Sequence, residues 1–131
     1  MINVFFTLIT SLISGLLGIF ISNYYHKKSE KNKLKTQTFR RILGYRYCIA
    51  SNSSSEYEDN EFFSALNEVF IIFNEDKEVI EALKKMHEEI GQPNRLIDNL
   101  VNLIKRMSDV LGINYSNIND SFFERPFKKN N

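Results

Sequence analysis

The sequence contains no tryptophan, one cysteine, two prolines, two histidines and five glycines among its 131 residues. A single thiol, Cys48, excludes an intrachain disulfide and suits a reducing compartment. His26 and His87 are far apart in the chain, so no ligand pair has zinc spacing and the lone cysteine has no histidine near it to make a nucleophile. No glycine-rich turn follows a strand-like run, and the phosphate-cradling loops of nucleotide-dependent enzymes are therefore missing. His87-Glu88-Glu89 invites a metal reading, but consecutive helical residues point to different sides and no second histidine stands four positions away. A solvated helix face accounts for it. These absences argue against an enzyme and against a metal or organic cofactor.

Acidic residues are nearly missing from the first fifty positions, where Glu30 alone faces eight lysines and arginines, so a net charge of +1 conceals a basic first part and an acidic remainder. That asymmetry calls for an anionic partner, either lipid headgroups or nucleic acid, or for docking of the basic part on the acidic one.

What the chain has in abundance is a long apolar start. Residues Ile2 to Ile21 carry no charge and are dominated by Ile, Leu, Phe and Val, and at about 1.5 Å per residue they reach roughly 30 Å, one hydrocarbon thickness. A cleaved signal peptide would need a basic start, a shorter apolar run and a small-residue cleavage site. Instead Met1 to Thr7 has no Lys or Arg, and Ser22-Asn23-Tyr24-Tyr25 follows the run. The expectation is a retained transmembrane helix over residues 1–25 in contact with membrane lipids. Lys27, Lys28, Lys31, Lys33 and Lys35 crowd its C-terminal flank, which places the N-terminus outside and the rest in the cytoplasm, with Tyr24 and Tyr25 at the interface.

Within the span Thr7, Ser11 and Gly15 fall four apart, and Thr10, Ser14, Gly18 and Ser22 fall four apart beside them, on one helix face. Small residues at this spacing permit close helix approach in lipid, so self-association into a homo-oligomer is the first reading. The second makes the same face line a polar pathway once several copies assemble. Ser and Thr can also bond their own backbone.

Beyond the span the pattern predicts an all-α architecture with no second soluble domain. A basic juxtamembrane helix over residues 26–50 continues the span, because no glycine or proline interrupts residues 22–43. A polar loop over residues 51–55 precedes a helical bundle that fills residues 51–131 together with a C-terminal tail. The second helix is expected to start near Asn60 as N-cap, with Phe62, Phe63, Leu66, Val69, Phe70 and Phe73 inward. Asp76 caps a third helix reaching Ile90, with Val79, Ile80, Leu83, Met86 and Ile90 inward and Gly91 as its stop. Pro93 opens a fourth, with Leu96, Ile97, Leu100, Val101, Ile104, Met107, Val110 and Leu111 inward, and Gly112 ends it. The tail packs as a short turn through Tyr115, Ile118, Phe122, Phe123 and Phe127 before the last positions lose order.

The stretch Phe39-Arg40-Arg41-Ile42-Leu43-Gly44-Tyr45-Arg46-Tyr47 mixes Arg40, Arg41 and Arg46 with Tyr45 and Tyr47. Guanidinium groups fork onto phosphate oxygens and aromatic rings stack on bases, so the mixture can hold a single-stranded oligonucleotide or a signalling nucleotide. Equally, the lysines can answer anionic lipid while the arginines pair with the acidic later helices.

The run Phe39 to Arg46, then Ala65-Leu66-Asn67-Glu68-Val69-Phe70, then Val79, resembles the membrane effectors of Hailong-type bacterial anti-phage defence systems. The resemblance covers roughly residues 35–112. It departs from that family's pattern at Ile42-Leu43-Gly44, where a Leu-Met pair and a small residue are usual. It implies a tetrameric ion channel in the bacterial inner membrane, held shut by a single-stranded DNA oligomer that a partner nucleotidyltransferase makes. Loss of the oligomer would open the channel, depolarise the membrane and abort infection. Arg40, Arg46 and Asn67 are the positions matched, with Arg46 implied in ligand binding and Asn67 in satisfying buried backbone or an arginine.

Overall fold

A computed structural model describes residues 1–50 and 54–127. The elements are α1 (Ile2–Gly44), α2 (Tyr47–Ala50), α3 (Glu56–Ile72), α4 (Lys77–Glu88), α5 (Pro93–Leu111) and α6 (Asp120–Glu124). Among the described residues there is no strand, and the chain is all-α with one long apolar helix and a small helical remainder. It divides into two compact units, Met1–Lys33 and Leu34–Asn131. That boundary falls inside the basic segment expected over residues 26–50.

The first unit is the apolar part of α1 and the lysine-rich turns after it. Its large apolar side chains, among them Phe5, Leu12 and Phe20, are exposed. It holds one helix long and apolar enough to cross a membrane, near the N-terminus.

The second unit buries a single core in which Ile42, Phe62, Val69, Phe73, Val79, Leu103, Ile104 and Met107 are almost wholly removed from water. Its helix starts and stops follow local chemistry. The helix that was expected to run to about Ala50 ends at Gly44, Tyr45 and Arg46 form a turn, and α2 resumes for one turn only. Glycine weakens the last turn, and the Arg46 guanidinium takes the Leu43 carbonyl that another turn of helix would otherwise have used. Helix α3 begins at Glu56, four residues before the expected cap at Asn60, because Ser55 and Glu58 close a capping box: the Ser55 hydroxyl accepts from Glu58 N–H at 3.2 Å and the Glu58 carboxylate accepts from Ser55 N–H at 2.8 Å. Of the loop expected before it, Ser54 and Ser55 precede the helix and residues 51–53 lie outside the described residues.

The inward face of α3 is narrower than expected. Phe62, Ala65, Leu66, Val69 and Phe73 are buried, but Phe63 and Phe70 are exposed, because six positions from 62 to 73 span a wider arc than one neighbouring surface can cover. Helix α4 buries Val79, Ala82, Leu83 and Met86, with Ile80 half-buried. Asp76 makes no capping hydrogen bond there; its carboxylate instead meets the Lys35 ammonium at 2.8 Å. The helix ends at Glu88, short of Gly91, and the turn that follows carries Ile90 outward. Helix α5 opens on Pro93 and closes on Gly112, whose φ of 68° is the left-handed conformation glycine adopts without strain. Of its expected inward stripe Leu100, Val101, Ile104 and Met107 are buried and Leu96, Ile97 and Leu111 half-buried, but Val110 is exposed, and Leu103, outside that stripe, is wholly buried. In the tail Asn119 caps α6 and Phe123 alone is buried; Ile118, Phe122 and Phe127 are exposed. The final positions expected to lose order, 128–131, lie outside the described residues.

Candidate functional site

The arginine and tyrosine cluster occupies the end of α1 and the turn after it, all within the second unit. Thr38, Phe39 and Ile42 are the buried face of this helix end, so helical geometry turns Arg40 away from the core and leaves Arg41 at its margin. Arg40 is exposed and makes no ion pair among the described residues. Arg41 is engaged on both sides. Its Nη1 donates to the Glu68 carboxylate at 2.8 Å, and its Nη2 donates to the Glu61 carboxylate at 3.3 Å and the Glu61 carbonyl at 3.4 Å. Glu61 and Glu68 are seven apart, two turns along one side of α3. The bond to Glu68, with the nearby negative charges, raises the Arg41 pKa above its ordinary value against the opposing effect of burial. Because these groups are partly exposed, each pair contributes no more than about 1 kcal/mol. Pairing with the acidic later helices is thus realised at Arg41.

Arg46 has different partners. Its Nε donates to the Phe123 carbonyl at 3.2 Å, its Nη2 to the Phe122 carbonyl at 3.1 Å and its Nη1 to the Leu43 carbonyl. One guanidinium plane therefore caps the end of α1 and the end of α6 together. Burial lowers its pKa from the usual value, though arginine stays charged. Beside it lies a shallow cleft lined by Leu43, Asn117, Ile118, Phe122 and Phe123. Tyr45 and Tyr47 are half-buried, with ring centroids 6.3 Å apart and planes inclined at 51°. Burial raises the Tyr45 phenol above its ordinary value, and burial with a hydrogen bond to Glu58 pushes Tyr47 up to about 12. The two rings do not present parallel faces to a stacked base.

Cys48, in the short helix α2, is held as an unreactive thiol. Burial foremost, then a hydrogen bond to Asp59, pushes its pKa up to about 11. Since the thiolate is the nucleophile, alkylation by iodoacetamide at pH 8 should run roughly a hundredfold slower than for an ordinary exposed cysteine, rising about tenfold per pH step until near 11. A rate at pH 8 within threefold of a free cysteine peptide would contradict this environment.

In the first unit the Thr7 hydroxyl donates to the Asn3 carbonyl, Thr10 to Phe6 and Ser11 to Thr7, at 2.7–2.8 Å. Each bonds the turn before it, the self-satisfied arrangement that leaves a hydroxyl oxygen as acceptor. Thr7, Thr10, Ser11, Ser14, Gly15 and Gly18 are all exposed, and open space surrounds both glycines.

One further polar position resolves differently from expectation. Asn67 is exposed, so it satisfies neither buried backbone nor an arginine. The buried amide is Asn99, which donates to the Glu89 carboxylate at 2.8 Å. His87 stands on the solvated face of α4. Among the described residues no three His, Cys, Asp or Glu side chains converge as a metal site. The partners sequence reasoning missed are Glu61 and Glu68 for Arg41 and Asp76 for Lys35; their two-turn spacing on α3 was the readable sign for the first pair.

No curated protein and no solved structure matches the chain. A family model matches residues 1–121, and the chain therefore belongs to DUF6680, a family of unknown function.

Proposed function

We propose that this protein is an anti-phage membrane effector: a homo-oligomeric, tetrameric ion channel in the bacterial inner membrane, N-terminus outside, acting without catalysis. In this reading a single-stranded DNA oligomer made by a partner nucleotidyltransferase binds the cytoplasmic unit and holds the channel shut. Its loss depolarises the cell. The resemblance to Hailong-type effectors motivates the reading, and the arginines at the end of α1 carry it physically. Arg40 offers an exposed, unpaired guanidinium beside Arg41 and Arg46, whose groups are already oriented. A phosphate oxygen is a stronger acceptor than a carbonyl, so an oligonucleotide captured by Arg40 can draw Arg46 from Phe122 and Phe123 and thereby register its presence at α6. Tyr45 and Tyr47 would then flank bases by edge contacts.

The engagement of Arg41 by Glu61 and Glu68 favours a second reading, a membrane-anchored assembly module with no pore, in which the cluster is structural. Planar-bilayer recording of the full chain separates the two. Conductance that short oligodeoxynucleotides suppress is expected, with Arg40→Glu weakening the suppression at least tenfold and flattening its salt dependence. The same substitution should make the protein more toxic in cells. No conductance would leave the anchored module; conductance indifferent to DNA would overturn the oligonucleotide gate.

A further inference from the structure

From Asn60 onward helix α3 turns to solvent an uncharged side that the fold does not use; Glu56, one turn earlier, is exposed on the same side. Phe63, Phe70 and Ile71 are 44%, 42% and 78% exposed, and Asn60 and Asn67 lie exposed on the same side of the helix, with Asn74 exposed in the turn after it. The spacing is regular. Within the helix Asn60 and Asn67 fall seven apart, and Phe63 and Phe70 fall seven apart beside them, which is the a and d pattern of a helix seam; Asn74 keeps the spacing in sequence but lies in the turn beyond it. The acids Glu61 and Glu68 lie to one side of the seam and are already taken by Arg41.

We infer that this face is an interface between copies of the chain, in which the Asn67 amides of two protomers hydrogen-bond to each other between flanking phenylalanines. A charged partner would find no countercharge between Asn60 and Asn74. An asparagine amide, by contrast, holds both a donor and an acceptor and is its own complement across a two-fold axis. Asn67 is central in the seam, so it meets its counterpart whether the two helices run parallel or antiparallel. In the parallel case Asn60 also meets its own copy. A buried asparagine in such a seam costs stability but selects register. Residues 51–53 and 128–131 hold only Ser, Asn and Lys and offer no apolar side chain to the face. This assembly does not depend on a pore, and it survives if the channel reading fails.

The test is disulfide trapping of the full chain in lipid vesicles. Asn67→Cys is made in a Cys48→Ser background and compared with Glu81→Cys, an exposed position on α4 away from the seam. Under mild oxidation Asn67→Cys should form a covalent dimer at least tenfold faster than Glu81→Cys. Adding Phe63→Asp and Phe70→Asp, both at exposed positions and so compatible with folding, should abolish that advantage. Equal trapping at the two positions, no trapping at either, or an advantage that persists with both aspartates would overturn the interface. Conductance measured on the same vesicles reads the channel proposal separately.

Discussion

Replacing Phe73 by alanine should cost the second unit about 3–5 kcal/mol, the range for removing a fully buried aromatic side chain. Phe73 is completely buried where α3 ends, its N–H bonds to the Val69 carbonyl at 2.9 Å, and the Lys35 ammonium stands 5.6 Å from its ring centroid. Truncation would therefore leave a cavity in the core and remove a cation–π contact from a lysine that also holds Asp76. A unit of this size has about 5–15 kcal/mol of stability, so the loss is roughly a fifth or more. Urea unfolding of the full chain in detergent, followed by far-ultraviolet circular dichroism, should show the midpoint falling accordingly. Helix signal from the apolar part of α1 should persist at high urea, since its backbone bonds are satisfied within the micelle. A change below about 1 kcal/mol would mean that the core closes around the missing ring.

Arg46→Met tests the other end of the unit. Methionine keeps the unbranched apolar stem as far as the Nε position but donates nothing, so the carbonyls of Leu43, Phe122 and Phe123 lose a shared charged donor. Hydrogen bonds to charged groups contribute about 1.5–3 kcal/mol, which predicts amide exchange in α6 faster by roughly ten- to a hundredfold, with α4 and α5 little changed. Arg46→Lys should not restore protection, because one ammonium cannot reproduce a planar fork bonding at two helix ends. Unchanged exchange in α6 would show that the burial of Phe123 is enough to hold it. Under the channel reading the same variant should mimic the ligand-bound condition of α6, which offers a second way to examine that proposal.

The comparison of sequence with structure divides along the range of the interactions. Pro93 and Gly112 bounded α5 because backbone conformation at those residues is a local matter. The Ser55–Glu58 box was equally local and just as legible, yet the phenylalanine run beginning at Phe62 drew the expected start to Asn60. The phenylalanines themselves show where periodicity runs out: Phe62 and Phe63 are adjacent and chemically identical, and only the position of the packed neighbours decides which is buried. Arg41 was legible as a basic residue needing an acidic partner, but not which acid it would meet. Arg46 was beyond reach. Its partners are backbone carbonyls, which every residue carries, so no side chain in the tail announces them.

That last contact also orders events during synthesis. Arg46 and Phe123 are separated by 77 positions, and the chain is made from its N-terminus. The apolar start of α1 is therefore complete while the residues that bond Arg46 have yet to be polymerised. Until Phe122 and Phe123 emerge, the Arg46 guanidinium stands without the carbonyls that later tie the end of α1 to α6.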